Sequence, residues 1–159
     1  MNNLESDSMT IDDVYRMFGE ASHWANILEV QLCNICMLNE RVINQESYKT
    51  KPSKSIVTMF EKKTIGVLLE SLREVLGKEH ESNVDKIFKP ALKTRNHLIH
   101  VFFISHHDIL TDKNKIPSAL TELNEVKYTI FQAANIATEI CKELTAQYLS
   151  SSEIVVNHE

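Results

Sequence analysis

Glycine and proline are scarce, at three each in 159 residues. So few turn-formers argue against sandwiches, propellers and collagen-like repeats, and against the Gly-rich loops that cradle phosphates. No stretch approaches the roughly 18 uninterrupted apolar residues of a membrane span, so no membrane partner is expected. The three cysteines, Cys33, Cys36 and Cys141, are an odd number, and the acidic, polar start MNNLESDSMTIDD is unlike a signal peptide. A disulfide framework is therefore not expected; the thiols read as reduced core residues and the cytoplasm as the default location. A basic excess is missing too. Lys and Arg number 17 against 22 Asp and Glu, a formal charge of −5, which speaks against a wholesale nucleic-acid coat.

What is present is a composition of 43% hydrophobic residues, in a length that suits one domain with a sizeable core. Residues 1–149 read as a single helical domain and 150–159 as a short flexible tail. Thr10 or Ser8 can cap a first helix whose opening turn carries Asp12 and Asp13. Val14, Phe18, Ala21, Ala25, Leu28, Leu32 and Ile35 recur at spacings of three and four, which predicts an amphipathic helix to about Val42. INQESYKTKPS has no period and reads as a loop. Ser53 opens the next helical region, with a weak point at Gly66 and a stop at Gly77. A third region runs from about Asn83 to between Ser105 and His107, kinked or restarted at Pro90. Pro117 fits the first turn of a last helix with Leu123, Tyr128, Phe131, Ala134 and Ala137 on its apolar side. The fold class expected is all-α, an antiparallel bundle of four to five helices.

Charge is unevenly spread. Lys86, Lys89, Lys93 and Arg95 fall in ten residues without an acid, whereas six acids follow Leu120 against Lys127 and Lys142. A polyanion would favour the first region. Along that helix Phe88, Ala91, Leu92, Leu98, Ile99 and Phe102 form one stripe, with Arg95 in its midst. A guanidinium there needs a carboxylate, an edge to snorkel to, or a polar cavity. Glu29, at the edge of the first helix's stripe, is a partner that could fix its fork; an exposed Glu29 or one bonded elsewhere fits as well. Beside the stripe, Lys86, Lys89, Lys93, Asn96, His100, Phe103 and His107 share a shoulder. That shoulder is either a solvated face or a strip of phosphate-attracting cations next to an imidazole that exchanges protons near neutral pH.

The string Arg95-Asn96-His97-Leu98-Ile99-His100 places a histidine five residues after an arginine, with a polar residue after the arginine and apolar residues before the histidine. Within ALKTRNHLIHVFF it resembles the R-x4-6-H motif helix of the HEPN family (higher eukaryotes and prokaryotes nucleotide-binding), often seen as RNxLxH. The motif covers about a dozen residues, and the all-helical layout extends the likeness less specifically. The resemblance implies a bundle that dimerises through its motif helices around one composite, metal-independent RNA-cleaving site, with no cofactor. It implies 2′,3′-cyclic phosphate and 5′-hydroxyl products. The chemistry agrees: His100 suits either proton role, Arg95 can bind two phosphate oxygens, and Asn96 can orient the imidazole or bond to phosphate. Lys93, Lys89 and His107 are the candidate substrate-binding residues and Glu29 the supporting one. Arg95 and His100 leave a regular helix about 140° apart, which suits a seam between two copies better than a cleft in one.

The same resemblance implies a toxin of a toxin–antitoxin or phage-defence pair. Some members carry R-x4-H-x-Y, whose tyrosine accepts AMP from a minimal nucleotidyltransferase antitoxin. Here Phe102 holds that position and has no hydroxyl, so such an antitoxin is a partner the resemblance allows without requiring. The alternative function is a noncatalytic helical dimerisation or nucleotide-binding module. Cys33 and Cys36 have no further ligands at zinc spacing, and His106, His107 and Asp108 point apart on a helix, so no metal is assigned. His97, His23 and His80 show no pattern, and Tyr48-Lys49-Thr50-Lys51 reads as a solvated loop or an RNA-backbone contact.

Overall fold

The computed structural model describes residues 9–43, 65–77 and 81–156. Among them are five helices and no strand: α1 (Ile11–Ile43), α2 (Ile65–Leu76), α3 (Glu81–His100), α4 (Phe102–Ser105) and α5 (Ile116–Val156), with a 3₁₀ turn at Lys113–Lys115 before α5. The expected helix start at Ser53 and the loop at 43–53 lie outside the described residues, apart from Ile43 at the end of α1.

Local chemistry explains the ends. The Thr10 hydroxyl accepts from the Asp13 amide at 3.3 Å while the Asp13 carboxylate accepts from the Thr10 amide at 2.9 Å, a reciprocal cap that starts α1. Gly77 closes α2 with φ 81° and its amide on the Arg73 carbonyl at 3.0 Å, a conformation cheap only for glycine. Pro90 neither ends nor restarts a helix; α3 runs through it. Pro90 and Lys86 are both exposed, so water can take up the carbonyl that the ring leaves unbonded. The real break comes at Val101, whose φ of −122° leaves the helical range between α3 and α4. α5 continues to Val156, into the 150–159 stretch read from sequence as a short tail.

α1 and α5 make the most extensive pairing. Ala21 and Ala25 of α1 and Ala133, Ala134 and Ala137 of α5 are buried, small residues that let two backbones approach closely. Glu20 meets Lys127 and Trp24 meets Phe131, so numbers rise together and these helices run in the same direction. α3 runs against both, since Arg95 meets Glu29, Phe102 meets Phe18 and His97 meets Glu122. The bundle is thus antiparallel around α3 but not throughout. Arg73 of α2 ties to Asp85 of α3 through Nε and Nη2 at 3.0 and 2.7 Å. Two stripe residues face outward where sequence periodicity put them inward: Ile99 and Tyr128 are exposed. No described helix is long and apolar enough to cross a membrane.

Several carboxylates depend on these contacts. The amide and hydroxyl of Thr10 hold Asp13 below its ordinary value; hydrogen bonds from Lys127, from Lys89 and Arg73, and from Lys115 do the same for Glu20, Asp85 and Asp108. A carboxyl with a lower pKa folded than unfolded binds fewer protons in the native state. Its contribution is complete above the unfolded value and disappears as pH falls through the folded one. The melting temperature, followed by circular dichroism, is therefore expected to fall steadily with acidification below about pH 4.5 on account of these groups. A melting temperature that held constant from pH 5 to pH 2.5 would contradict these pairings.

Candidate active site on the third helix

α3 presents its sides differently. Phe88, Ala91, Leu92 and Leu98 are buried, and Phe102 follows them into the core from α4. Lys86, Lys89, Lys93, Asn96 and His100 are exposed along the shoulder. The α3 helix keeps Lys93, Asn96 and His100 on one regular line. Phe103 and His107 lie beyond the Val101 break, outside α3, a difference from the single helical region expected to reach between Ser105 and His107.

Arg95 is half-buried. Its Nη2 donates to Glu29 Oε2 at 3.1 Å and its Nη1 to Asn96 Oδ1 at 3.2 Å. Glu29 therefore does reach Arg95, across 66 residues of sequence. A guanidinium has five N–H donors, so these two bonds fix the plane of the fork and leave donors for a further anion. The side chains of Arg95 and Glu29 are 22% and 35% exposed, which places the pair at the rim of the α1–α3 contact and within reach of solvent.

The remaining sequence candidates divide. No hydrogen bond or ion pair engages the side chains of His100 or Lys93 among the described residues. Lys89 is taken by Asp85, its Nζ 2.5 Å from Oδ2. His107 folds back on its own turn, with Nδ1 3.1 Å from the Ile104 carbonyl. Of the three candidate substrate-binding residues, Lys93 is the one whose side chain makes no hydrogen bond or ion pair among the described residues.

The sequence neighbours of His100 are apolar and exposed. Val101, Phe103, Ile104 and Ile99 are all exposed, Ile104 to 72%, and Tyr15 of α1 packs its ring 5.8 Å from that of Phe103. Phe102, the position of the AMP-accepting tyrosine in the resembling motif, is fully buried among Phe18, Phe103 and His106.

One constellation had no signature in the sequence. His97 Nε2 lies 2.6 Å from Glu122 Oε1 and His106 Nε2 lies 2.8 Å from Glu122 Oε2, so one carboxylate of α5 holds two imidazoles. Burial raises the Glu122 pKa, but the hydrogen bonds from His106 and His97 outweigh it and keep the carboxyl below its ordinary value. No pattern in the sequence pairs Glu122 with either histidine. Asp108, grouped with His106 and His107 as a conceivable metal set, bonds Lys115 at 2.6 Å. Among the described residues no group of three or more His, Cys, Asp or Glu side chains is arranged for a metal ion.

Compared with family models, curated proteins and solved structures, the chain matches none.

Proposed function

We propose that this chain is a metal-independent endoribonuclease resembling HEPN toxins, acting as a homodimer at a composite site built from Arg95 and His100. The observation that carries this reading is the pairing of a half-buried, oriented guanidinium with an uncommitted, exposed imidazole on one helix, next to exposed Lys93 and Asn96. Metal-free cleavage requires three things: removal of the 2′-hydroxyl proton, stabilisation of charge on the phosphorane oxygens, and a proton for the departing 5′-oxygen. A two-fold pair of His100 rings supplies both proton roles from one position in the sequence. The two Arg95 forks supply the charge. The 2′-oxygen then bonds to phosphorus as the bond to the 5′-oxygen breaks, leaving a cyclic phosphate and a 5′-hydroxyl. The apolar rim of Ile99, Phe103 and Ile104 supports a second copy as the surface that covers this face.

A second reading, the noncatalytic dimerisation or nucleotide-binding module, is favoured by the Arg95–Glu29 ion pair, since a purely structural arginine would make the same contact. The test is incubation with structured and unstructured RNA in EDTA, followed by mapping of the product ends. Cleavage leaving cyclic phosphates supports the enzyme; a stable dimer without cleavage supports the module.

The dimer carries its own prediction. Ile104→Asp puts a charge in the rim and is expected to weaken self-association about tenfold or more, read by sedimentation. Cleavage should fall in parallel. An unaltered association constant would remove this face from the interface.

A further inference from the structure

The end of α3 poses a mechanical problem. His100 is its last residue, no hydrogen bond, ion pair or ring contact holds its ring among the described residues, and the helix breaks at the next residue. The backbone bonds around the break are Val101 N–H to the His97 carbonyl at 2.9 Å, Ser105 N–H to the Val101 carbonyl at 2.9 Å and His106 N–H to the Phe102 carbonyl at 3.0 Å. The first ends and the last begins at a histidine held by Glu122. His97 lies one turn before the break and His106 about one turn after it.

We propose that Glu122 is a positioning residue for the Arg95–His100 site, gripping with its two carboxylate oxygens the histidines that bracket the Val101 break. The proposal rests on the reading of that site given above. Three contacts make the grip directional. Arg95 anchors α3 to α1 through Glu29, and His97 anchors the opposite flank to α5 through Glu122, so rotation of α3 about its axis is opposed from two sides. Beyond the break, the His106 side chain is 13% exposed and its ring lies 4.7 Å from that of buried Phe102, so the second oxygen of Glu122 holds the far side of the joint against the core. His100 is left as the exposed residue between two clamped flanks. Positioning of this kind matters because a misplacement of about 1 Å can cost a site about a hundredfold in rate.

The experiment joins long-range nitrogen–proton spectra of the imidazole rings to RNA cleavage in EDTA, for the full chain and three variants. Glu122→Ala is expected to move or broaden the ring signals of His100 along with those of His97 and His106, and to lower kcat about tenfold or more with KM within about twofold. Glu122→Gln keeps the shape and part of the bonding, and should recover about a third or more of wild-type kcat while still displacing the ring signals measurably. Lys142→Ala, which removes an exposed pair with Glu139 on the same helix, should leave signals and kcat at wild-type levels. His100 signals unmoved in both Glu122 variants would overturn the proposal, as would a kcat equal to wild type in Glu122→Ala. If the alanine variant does not fold, the glutamine variant decides through the same signals. If the wild-type chain cleaves no RNA, the enzyme reading fails, and the ring spectra still decide whether Glu122 sets His100.

Discussion

His100→Ala is expected to lower RNA cleavage in EDTA by about 10²- to 10⁴-fold, the range that a positioned general acid or base contributes. The same substitution should leave folding stability within about 0.5 kcal/mol, because the ring is exposed and makes no side-chain bond among the described residues. Arg95 behaves differently. Arg95→Ala removes the charge from the site but also strands Glu29 at the α1–α3 rim, so loss of activity would come mixed with loss of stability. Arg95→Lys separates the two: it keeps a cation opposite Glu29 and loses the planar fork that matches two phosphate oxygens. Its expected signature is a melting temperature near wild type with cleavage reduced about a hundredfold, a loss comparable to that of a single transition-state hydrogen-bond donor. Matched measurements of cleavage, melting temperature and sedimentation on the three variants check this. Wild-type cleavage surviving His100→Ala and Arg95→Lys would take both residues out of the chemistry.

The helices were legible where periodicity and capping chemistry agree. The α1 stripe from Val14 to Ile35, the Thr10 cap, the Gly77 stop and Pro117 in the opening turn of α5 all follow from local rules, and local rules are what a sequence displays. At Pro90 the sequence left a kink and a restart open; α3 runs through without a restart, because the cost depends on whether the orphaned carbonyl meets water, and exposure of that flank is a tertiary property. Ile99 and Tyr128 mislead for the converse reason: apolar spacing marks a stripe, but its width is set by the neighbouring helix. The direction of α5 relative to α1 is not local at all. The Arg95–Glu29 contact was open to suspicion as one pairing among several, because charge and burial narrow the choice of partner while the rotation between helices decides it. Glu122 with His97 and His106 was invisible, since neither histidine lies on a patterned face and their meeting requires the chain to turn after Val101. The RNHLIH string carries the chemistry of the proposed site, and only folding shows that Lys89 and His107 are already engaged.

Phe102→Ala should be the costliest substitution near the site, destabilising the fold by about 3–5 kcal/mol. The ring is 0% exposed, with centroids of Phe18, Phe103 and His106 at 5.9, 5.1 and 4.7 Å, so truncation opens a cavity at the junction of α1, α4 and the turn that follows. Native domains hold only about 5–15 kcal/mol in all, so urea unfolding at pH 7 should show a large fall in midpoint with little change in slope. A loss under about 1.5 kcal/mol would mean that the ring is not packed as described, since full burial of an aromatic side chain alone is worth more. Phe102→Tyr probes the same pocket with one added oxygen. A hydroxyl placed there without a partner costs about 1–3 kcal/mol, and its oxygen would face the core. The variant should therefore be less stable than wild type and should not gain an acceptor for AMP, as tested by incubation with ATP, magnesium and a minimal nucleotidyltransferase. Transfer of AMP to Phe102→Tyr would require this position to open to solvent, and would show that the segment around the Val101 break moves far more than its packing implies.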